Sequence, residues 1–266
     1  MITIEKLKRD LNSVREQSPV IHNITNYVVM NNTANALLAI GASPVMAHSV
    51  DEIKDMVGIA SALVLNIGTL DKNWVESMLL AGSIAQEKGI PIVLDPVGAG
   101  ATKYRTEVST LLIEKCRPTI IRGNASEIMA LVNDSTTQTK GVDSRDSSDA
   151  ALESAKLLAK QSGAVVVISG ETDYITDGTN TKTVFNGNTM MARVTGMGCT
   201  ATAIVAAFAA INKETMQAAT HAMAVMGVSG ERAAANARGN GSLQTLFLDE
   251  LYNLSDKELE KTLRIV

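Results

Sequence analysis

Four short runs of aliphatic and β-branched residues, each followed by a helical stretch, constrain this chain more than any other feature. Ala62-Leu-Val-Leu-Asn-Ile67, Ile90-Pro-Ile-Val-Leu94, Thr119-Ile-Ile121 and Ala164-Val-Val-Val-Ile168 are almost continuously apolar. A strand with one wet face alternates apolar and polar residues, so a run without that alternation is buried on both faces. Asp71 caps a helix running through Trp74 to about residue 88. Further helical stretches lie near 107–115, from Asn124, and near 150–161. Strands alternating with helices predict parallel pairing through right-handed crossovers, hence a layered, doubly wound, mainly parallel α/β sheet flanked by helices.

The pattern changes after Ile168. Tyr174-Ile-Thr176 and Thr181-Lys-Thr-Val-Phe185 flank Asp177-Gly-Thr-Asn180, which reads as a hairpin and its turn. From Gly198 onward only helical patterns follow, including an Ala- and Met-rich helix over 214–237. No Pro- or Ser-rich linker and no internal repeat divides the sequence, so residues 1–266 are expected to form one domain.

Composition removes several function classes. Basic residues near the two ends are interleaved with acids and the net charge is −4, which disfavours a phosphate-tracking nucleic-acid surface. The two cysteines, Cys116 and Cys199, form no C-x-x-C pair and no disulfide framework. The polar N-terminal stretch lacks an apolar signal core, and the longest apolar run, 201–211, is too short to cross a bilayer; a cytoplasmic protein is expected.

In open parallel sheets ligands bind beyond the carboxyl ends of the strands. The four runs end in Asn66-Ile67-Gly68, Asp95-Pro-Val-Gly-Ala-Gly100, Arg122-Gly-Asn124 and Ser169-Gly-Glu171. Each alone is an ordinary strand-to-helix turn; four together, each with glycine and a polar or charged side chain, point to a site. Thr195-Gly-Met-Gly-Cys-Thr200 opens the helix expected over 201–211, and successive N–H groups at a glycine-rich helix start favour an anion. The same segment formally satisfies a dinucleotide fingerprint, but no strand follows to complete a βαβ unit. No G-x-x-x-x-G-K-[ST] loop is present.

Asn124 and Glu127 have the spacing of a capping box, and that spacing alone favours a structural role. Glu127, beside Arg122 and across from Asp95, is also a candidate metal carboxylate. His22, His48 and His221 are not at metal-ligand spacing, and His221 reads as a satisfied core residue. Asp143, Asp146 and Asp149 lack the glycine and terminal glutamate of a calcium loop and read as a polar helix start.

Several of these segments carry a resemblance. Val20-Ile-His-Asn-Ile-Thr-Asn26, Ala34-Asn35, Ile40-Gly-Ala-Ser-Pro-Val-Met46, Asp95-Pro-Val-Gly-Ala-Gly100, Arg122-Gly-Asn-Ala-Ser-Glu127 and Val194-Thr-Gly-Met-Gly-Cys199 resemble, in order and spacing, the motifs of hydroxyethylthiazole kinases. These belong to the ribokinase-like superfamily, and the resemblance runs from about residue 10 to about residue 240. It implies ATP- and Mg2+-dependent phosphorylation of the primary alcohol of 4-methyl-5-(2-hydroxyethyl)thiazole in thiamine salvage. It further implies a homotrimer with thiazole pockets at subunit interfaces. By the same resemblance Asn26, Met46 and Gly196 line the thiazole pocket, Arg122 and Ser169 contact nucleotide phosphates, and Asp95 and Glu127 serve the metal.

At the position of Cys199 many ribokinase-like enzymes carry an aspartate base; hydroxyethylthiazole kinases are similar to this chain in having cysteine there. A thiol at a helix start can have a depressed pKa and accept the hydroxyl proton. Phosphoryl transfer asks little of a base, so Cys199 is expected to assist and orient the alcohol without being indispensable. The rival readings are a hydroxymethylpyrimidine kinase, a nicotinamide-nucleotide hydrate dehydratase on the same scaffold, and a non-catalytic nucleotide sensor.

Overall fold

The computed structural model describes residues 4–132 and 144–266. Its strands are β1 (Val20–Ile24), β2 (Ser43–Val45), β3 (Ala62–Asn66), β4 (Ile92–Asp95), β5 (Ile120–Asn124), β6 (Val165–Ser169), β7 (Asp173–Thr176) and β8 (Thr181–Val184). They form one sheet in the order β2-β1-β3-β4-β5-β6-β7-β8. Pairing is parallel from β2 through β6 and antiparallel for the β6-β7-β8 hairpin edge. The predicted mainly parallel sheet is therefore present, and all four apolar runs lie at its centre.

Successive residues of the central strands point into two different cores. Ala62, Val64, Val93, Ile120, Val165 and Val167 enter one; Leu63, Leu65, Ile92, Leu94, Ile121 and Val166 enter the other. This is why the runs show no polar alternation. Each fully buried aliphatic side chain contributes roughly 1.5–3 kcal/mol relative to exposure.

The first core is covered by α1 (Ile4–Gln17), α2 (Met30–Ala39), α8 (Met197–Ile211), α9 (Thr215–Asn236), α10 (Asn240–Asn253) and α11 (Asp256–Thr262). Covering the second are α3 (Ile53–Ile59), α4 (Lys72–Lys88), α5 (Lys103–Cys116), α6 (Ala125–Val132) and α7 (Ser144–Ser162). Asp71 caps α4 as expected, its carboxylate accepting from the Asn73 and Trp74 amides at 2.8 and 3.0 Å. Asp143 lies outside the described residues.

β1 and β2 escape the sequence pattern. His22 and Asn23 interrupt β1, yet both are buried, because His22 Nε2 reaches the Ala47 carbonyl (2.8 Å) and Asn23 Nδ2 donates to Ile21 O (2.8 Å). β2 has three residues, one of them Pro44, and survives as an edge. Two helices start earlier than the apolar pattern suggests. α5 begins at Lys103, where Thr102 accepts from the Arg105 amide; α8 begins at Met197 after Gly196, whose φ of +89° suits a residue without Cβ.

His221, placed in the core, is fully buried, and its Nδ1 lies 2.7 Å from Asp10 Oδ2, although Nε2 has no partner. Beyond α8 the chain is helical, apart from a bridge between Val184 and Ile265 that lays residues 264–266 along β8.

Candidate active site at the sheet's switch point

β1 and β3 are neighbours, but the chain leaves β1 outward to β2 and returns to β3 on the other side. The connections after the two strands diverge, which opens a crevice at their carboxyl ends. α8 packs across β1, β3 and β4 and delivers its first turn there. Register places the strand ends side by side: Asn66 pairs with Asp95, Arg122 with Val167, and Asn124 with Ser169.

A hydrogen-bonded chain crosses this edge. Asn26 Nδ2 donates to Asn66 Oδ1 (2.9 Å), Asn66 Nδ2 to Asp95 Oδ2 (2.8 Å), and Thr202 Oγ1 to the same Asp95 oxygen (2.8 Å). Asn26 Nδ2 also reaches Cys199 Sγ at 3.4 Å. Arg122 Nη1 lies 3.8 Å from Asp95 Oδ2, and Arg122 Nη2 donates to Ser169 Oγ. Six of the eight predicted residues, Asn26, Asp95, Arg122, Ser169, Cys199 and Glu127, thus gather at one edge.

Asp95 is 1% exposed and its Oδ1 has no hydrogen-bond partner. Burial pushes its carboxyl up to about 6, against the pull of Arg122. Glu127 closes the capping box: its Oε2 accepts from the Asn124 amide (2.8 Å), while Asn124 Oδ1 accepts from the Glu127 amide (2.9 Å). Its Oε1 accepts from the Gly98 amide at 2.9 Å. Each carboxylate oxygen keeps lone-pair capacity beyond that single bond. Among the described residues no three His, Cys, Asp or Glu side chains converge. The donors are two hard carboxylates, one with an orphaned buried oxygen, which fits Mg2+ held by one or two carboxylates with water and phosphate oxygens completing its shell.

Cys199 corrects an expectation. Its thiol is not activated; burial first, then the nearby Asp95 charge, pushes it up to about 11. The pull of a helix N-terminus is outweighed because the sulfur is desolvated beside an anion. At neutral pH it is a thiol, not a thiolate.

An open cleft of about 800 Å³ leads away from this edge, between the β6–β7 turn, the segment 185–192, the start of α8 and the face of α9. Its lining is mixed: Arg122, Ser169, Gly198 and Asp173 are joined by the apolar Phe185, Met223 and Met226. Gly198 allows this approach, since a Cβ there would sit 2.7 Å from Arg122 Nη1. Asn186, at the cleft wall, is held by Glu231 Oε2 (2.8 Å), the Thr262 carbonyl (2.8 Å) and the Arg264 amide (2.7 Å). Its carbonyl lies so close to α9 that a Cβ on Gly227 would be 2.4 Å away.

Met46 and Gly196 lie apart from that cleft. Met46 follows β2 at the outer side of the sheet, half-buried, and Gly196 faces a small recess bordered by Asn32 and Phe247. Tyr27 and His48, each within two residues of a predicted thiazole contact, both pack on Trp74, with ring centroids 4.7 and 4.8 Å away. Sequence reading did not single out Thr202 or the bridging function of Asn66. A threonine interrupting an apolar helix, and a polar residue ending an apolar strand, were the available signals.

The hydroxyethylthiazole kinase family model matches residues 11–257. The chain belongs to the hydroxyethylthiazole kinase family. It is 54% identical to the hydroxyethylthiazole kinase of Syntrophus aciditrophicus over 265 residues, covering 100% of this chain and 98% of that one. The solved hydroxyethylthiazole kinase structure from Pyrococcus horikoshii is 40% identical, with a TM-score of 0.91 and 98% of each chain covered. A ribokinase-like superfamily protein from Enterococcus faecalis, 15% identical with a TM-score of 0.65 over 94% of this chain and 95% of that one, shares the fold. The ribokinase-like architecture expected from the hydroxyethylthiazole kinase motifs is thus the one observed.

Proposed function

We propose that this chain transfers the γ-phosphoryl group of ATP to the primary alcohol of 4-methyl-5-(2-hydroxyethyl)thiazole, in thiamine salvage. The observation that carries this reading is the large cleft lined by Arg122, Ser169 and Gly198, whose Arg122 lies 3.8 Å from the buried Asp95 carboxylate, in a chain of this family. The nucleotide base packs against Met223 and Met226. The phosphates lie toward Arg122, Ser169 and the first turn of α8, where positive guanidinium charge and N–H groups oppose their charge.

Asp95 and Glu127 hold Mg2+, which supplies neutralisation of charge on the phosphoryl oxygens. The alcohol oxygen bonds to the γ-phosphorus as the bond to the β–γ bridging oxygen breaks and ADP leaves; the hydroxyl proton passes to solvent water as the ester forms. Asn26 and Cys199 orient the hydroxyl. A neutral thiol suits that task, because a loose transition state needs positioning more than an early base.

Asn26, Met46 and Gly196 line the thiazole pocket, which is completed by a second subunit in a homotrimer. Supporting this, Tyr27, Val28 and Leu38 expose about 60% of their surface beside Asn26 and along α2. Residues 1–266 act as one domain in the cytoplasm; among the described residues no helix is long and apolar enough to cross a membrane.

ADP release from ATP and Mg2+ should be measured with the thiazole alcohol, with hydroxymethylpyrimidine and without acceptor. Turnover with the thiazole alone is expected. Turnover with the pyrimidine instead overturns the substrate, and ATP binding without turnover on either points to a sensor.

A further inference from the structure

We infer that Arg105 is a positioning residue for the transfer, a brace that keeps the acceptor side and the metal side of the site in register; this rests on the function proposed above. Arg105 projects from the first turn of α5, half-buried beneath the strand ends. Its Nη1 donates to the carbonyls of Ile67 (2.9 Å) and Val97 (2.6 Å), and its Nη2 to the carbonyl of Gly68 (2.8 Å). Two of these carbonyls belong to the turn after β3 and the third to the turn after β4.

Each turn carries part of the site. In the β3 turn the Gly68 amide donates to Asn66 Oδ1 (3.0 Å), and a Cβ on Gly68 would lie 2.5 Å from Asn26 Nδ2. The position of Gly68 therefore decides where both asparagines sit. In the β4 turn Val97 precedes Gly98, whose φ is +74° and whose amide donates to Glu127 Oε1 at 2.9 Å. A shift of Val97 moves the donor that aims the Glu127 carboxylate. One guanidinium thus ties the seat of Asn26 to the seat of Glu127.

Lys88 shows what a purely structural carbonyl anchor looks like here. Its ammonium takes Val57 O (3.1 Å), Gly58 O (2.6 Å) and Ala60 O (2.7 Å), all from the end of α3. A point charge suffices for one chain segment. Arg105 spans two segments belonging to different strands, which is the task of a planar fork with fixed donor directions.

The test uses full-length Arg105→Ala and Arg105→Lys, with thiazole turnover, Mn2+ affinity in the presence of a non-hydrolysable ATP analogue, and thermal melting. The expected result is a kcat loss on the order of 10²-fold for Arg105→Ala, the scale of a misplaced reacting group. KM for ATP should change little, since Arg122 and Ser169 are untouched. Mn2+ affinity should fall, and millimolar guanidinium should restore part of kcat in Arg105→Ala but not in the wild type. Should Arg105→Ala not fold, Arg105→Lys carries the same kinetic and Mn2+ comparison. Wild-type kcat and Mn2+ affinity in both variants overturn the brace. A loss confined to melting temperature, with no guanidinium rescue, overturns it too. If the wild type itself ignores the thiazole, the functional reading fails, while the Mn2+ affinities still decide on Arg105.

Discussion

Asn66 and Asp95 are register partners on β3 and β4, and the Asn66 amide donates to Asp95 Oδ2 at 2.8 Å. The same asparagine accepts from Asn26 Nδ2 at 2.9 Å, so one side chain links the acceptor-facing amide to the buried carboxylate. In Asn66→Ala each neighbour loses one partner, leaving Asp95 Oδ2 with Thr202 and Asn26 Nδ2 with Cys199, and each lost bond costs about 0.5–1.5 kcal/mol. Activity is expected to fall by about 10- to 100-fold with weaker Mg2+ dependence, read from kcat titrated against Mg2+. Wild-type activity in this variant would show that the chain of bonds is structural only.

Cys199, half-buried at the start of α8, is expected to react as a protonated thiol. With its value near 11, alkylation followed by mass spectrometry should be slow at pH 7 and rise only in strongly alkaline buffer. Cys199→Ala is expected to lose on the order of tenfold in kcat, below the roughly 10²–10⁴-fold loss of a general base. Asp95→Asn should lose far more. Comparable losses for the two variants would contradict an orienting role.

Asp10 gives the acid limb of stability. Burial pushes its carboxyl upward, but hydrogen bonds from His221 and Asn212 outweigh it, and the net shift is downward. A lowered carboxyl stabilises the fold fully above its unfolded value of about 3.9, and that stabilisation disappears as pH falls through the folded value. His221→Ala should destabilise by roughly 1–3 kcal/mol at pH 7, because a buried carboxylate loses one of its hydrogen-bond partners and keeps Asn212. Urea unfolding at pH 7 and pH 3 checks both: the difference between wild type and variant should shrink at pH 3.

Two glycines of α9 should respond differently to a methyl group. At Gly227 a Cβ meets the Asn186 backbone, which is pinned by Glu231 and residues 262–264; at Gly230 it meets the flexible Met191 thioether 2.2 Å away. Gly227→Ala is expected to cost about 1–3 kcal/mol by overpacking and to raise KM for ATP, because the cleft wall must move. Gly230→Ala should cost less and leave KM near wild type. Melting curves and ATP titrations of the two variants separate these outcomes.

The sequence by itself determined the central sheet, because apolar runs such as Val165–Ile168 admit only burial on both faces. It also determined the chemistry available at the strand ends, since Asp95, Arg122, Asn124 and Ser169 follow directly from where those runs stop. Local capping at Asp71 and Asn124 was legible for the same reason: a cap is decided within a few residues. Tertiary structure alone decided the rest. β1 hides its identity behind His22 and Asn23, whose partners Ala47 and Val45 are distant in sequence. The thiol of Cys199 takes its ionisation from burial and then from Asp95, not from its own helix. That Asn66 joins Asn26 to Asp95, and that Arg105 grips two turns at once, depends on strand order and register. Local sequence carries residue type and periodicity; which distant groups share a buried, poorly screened space is decided only when the sheet closes.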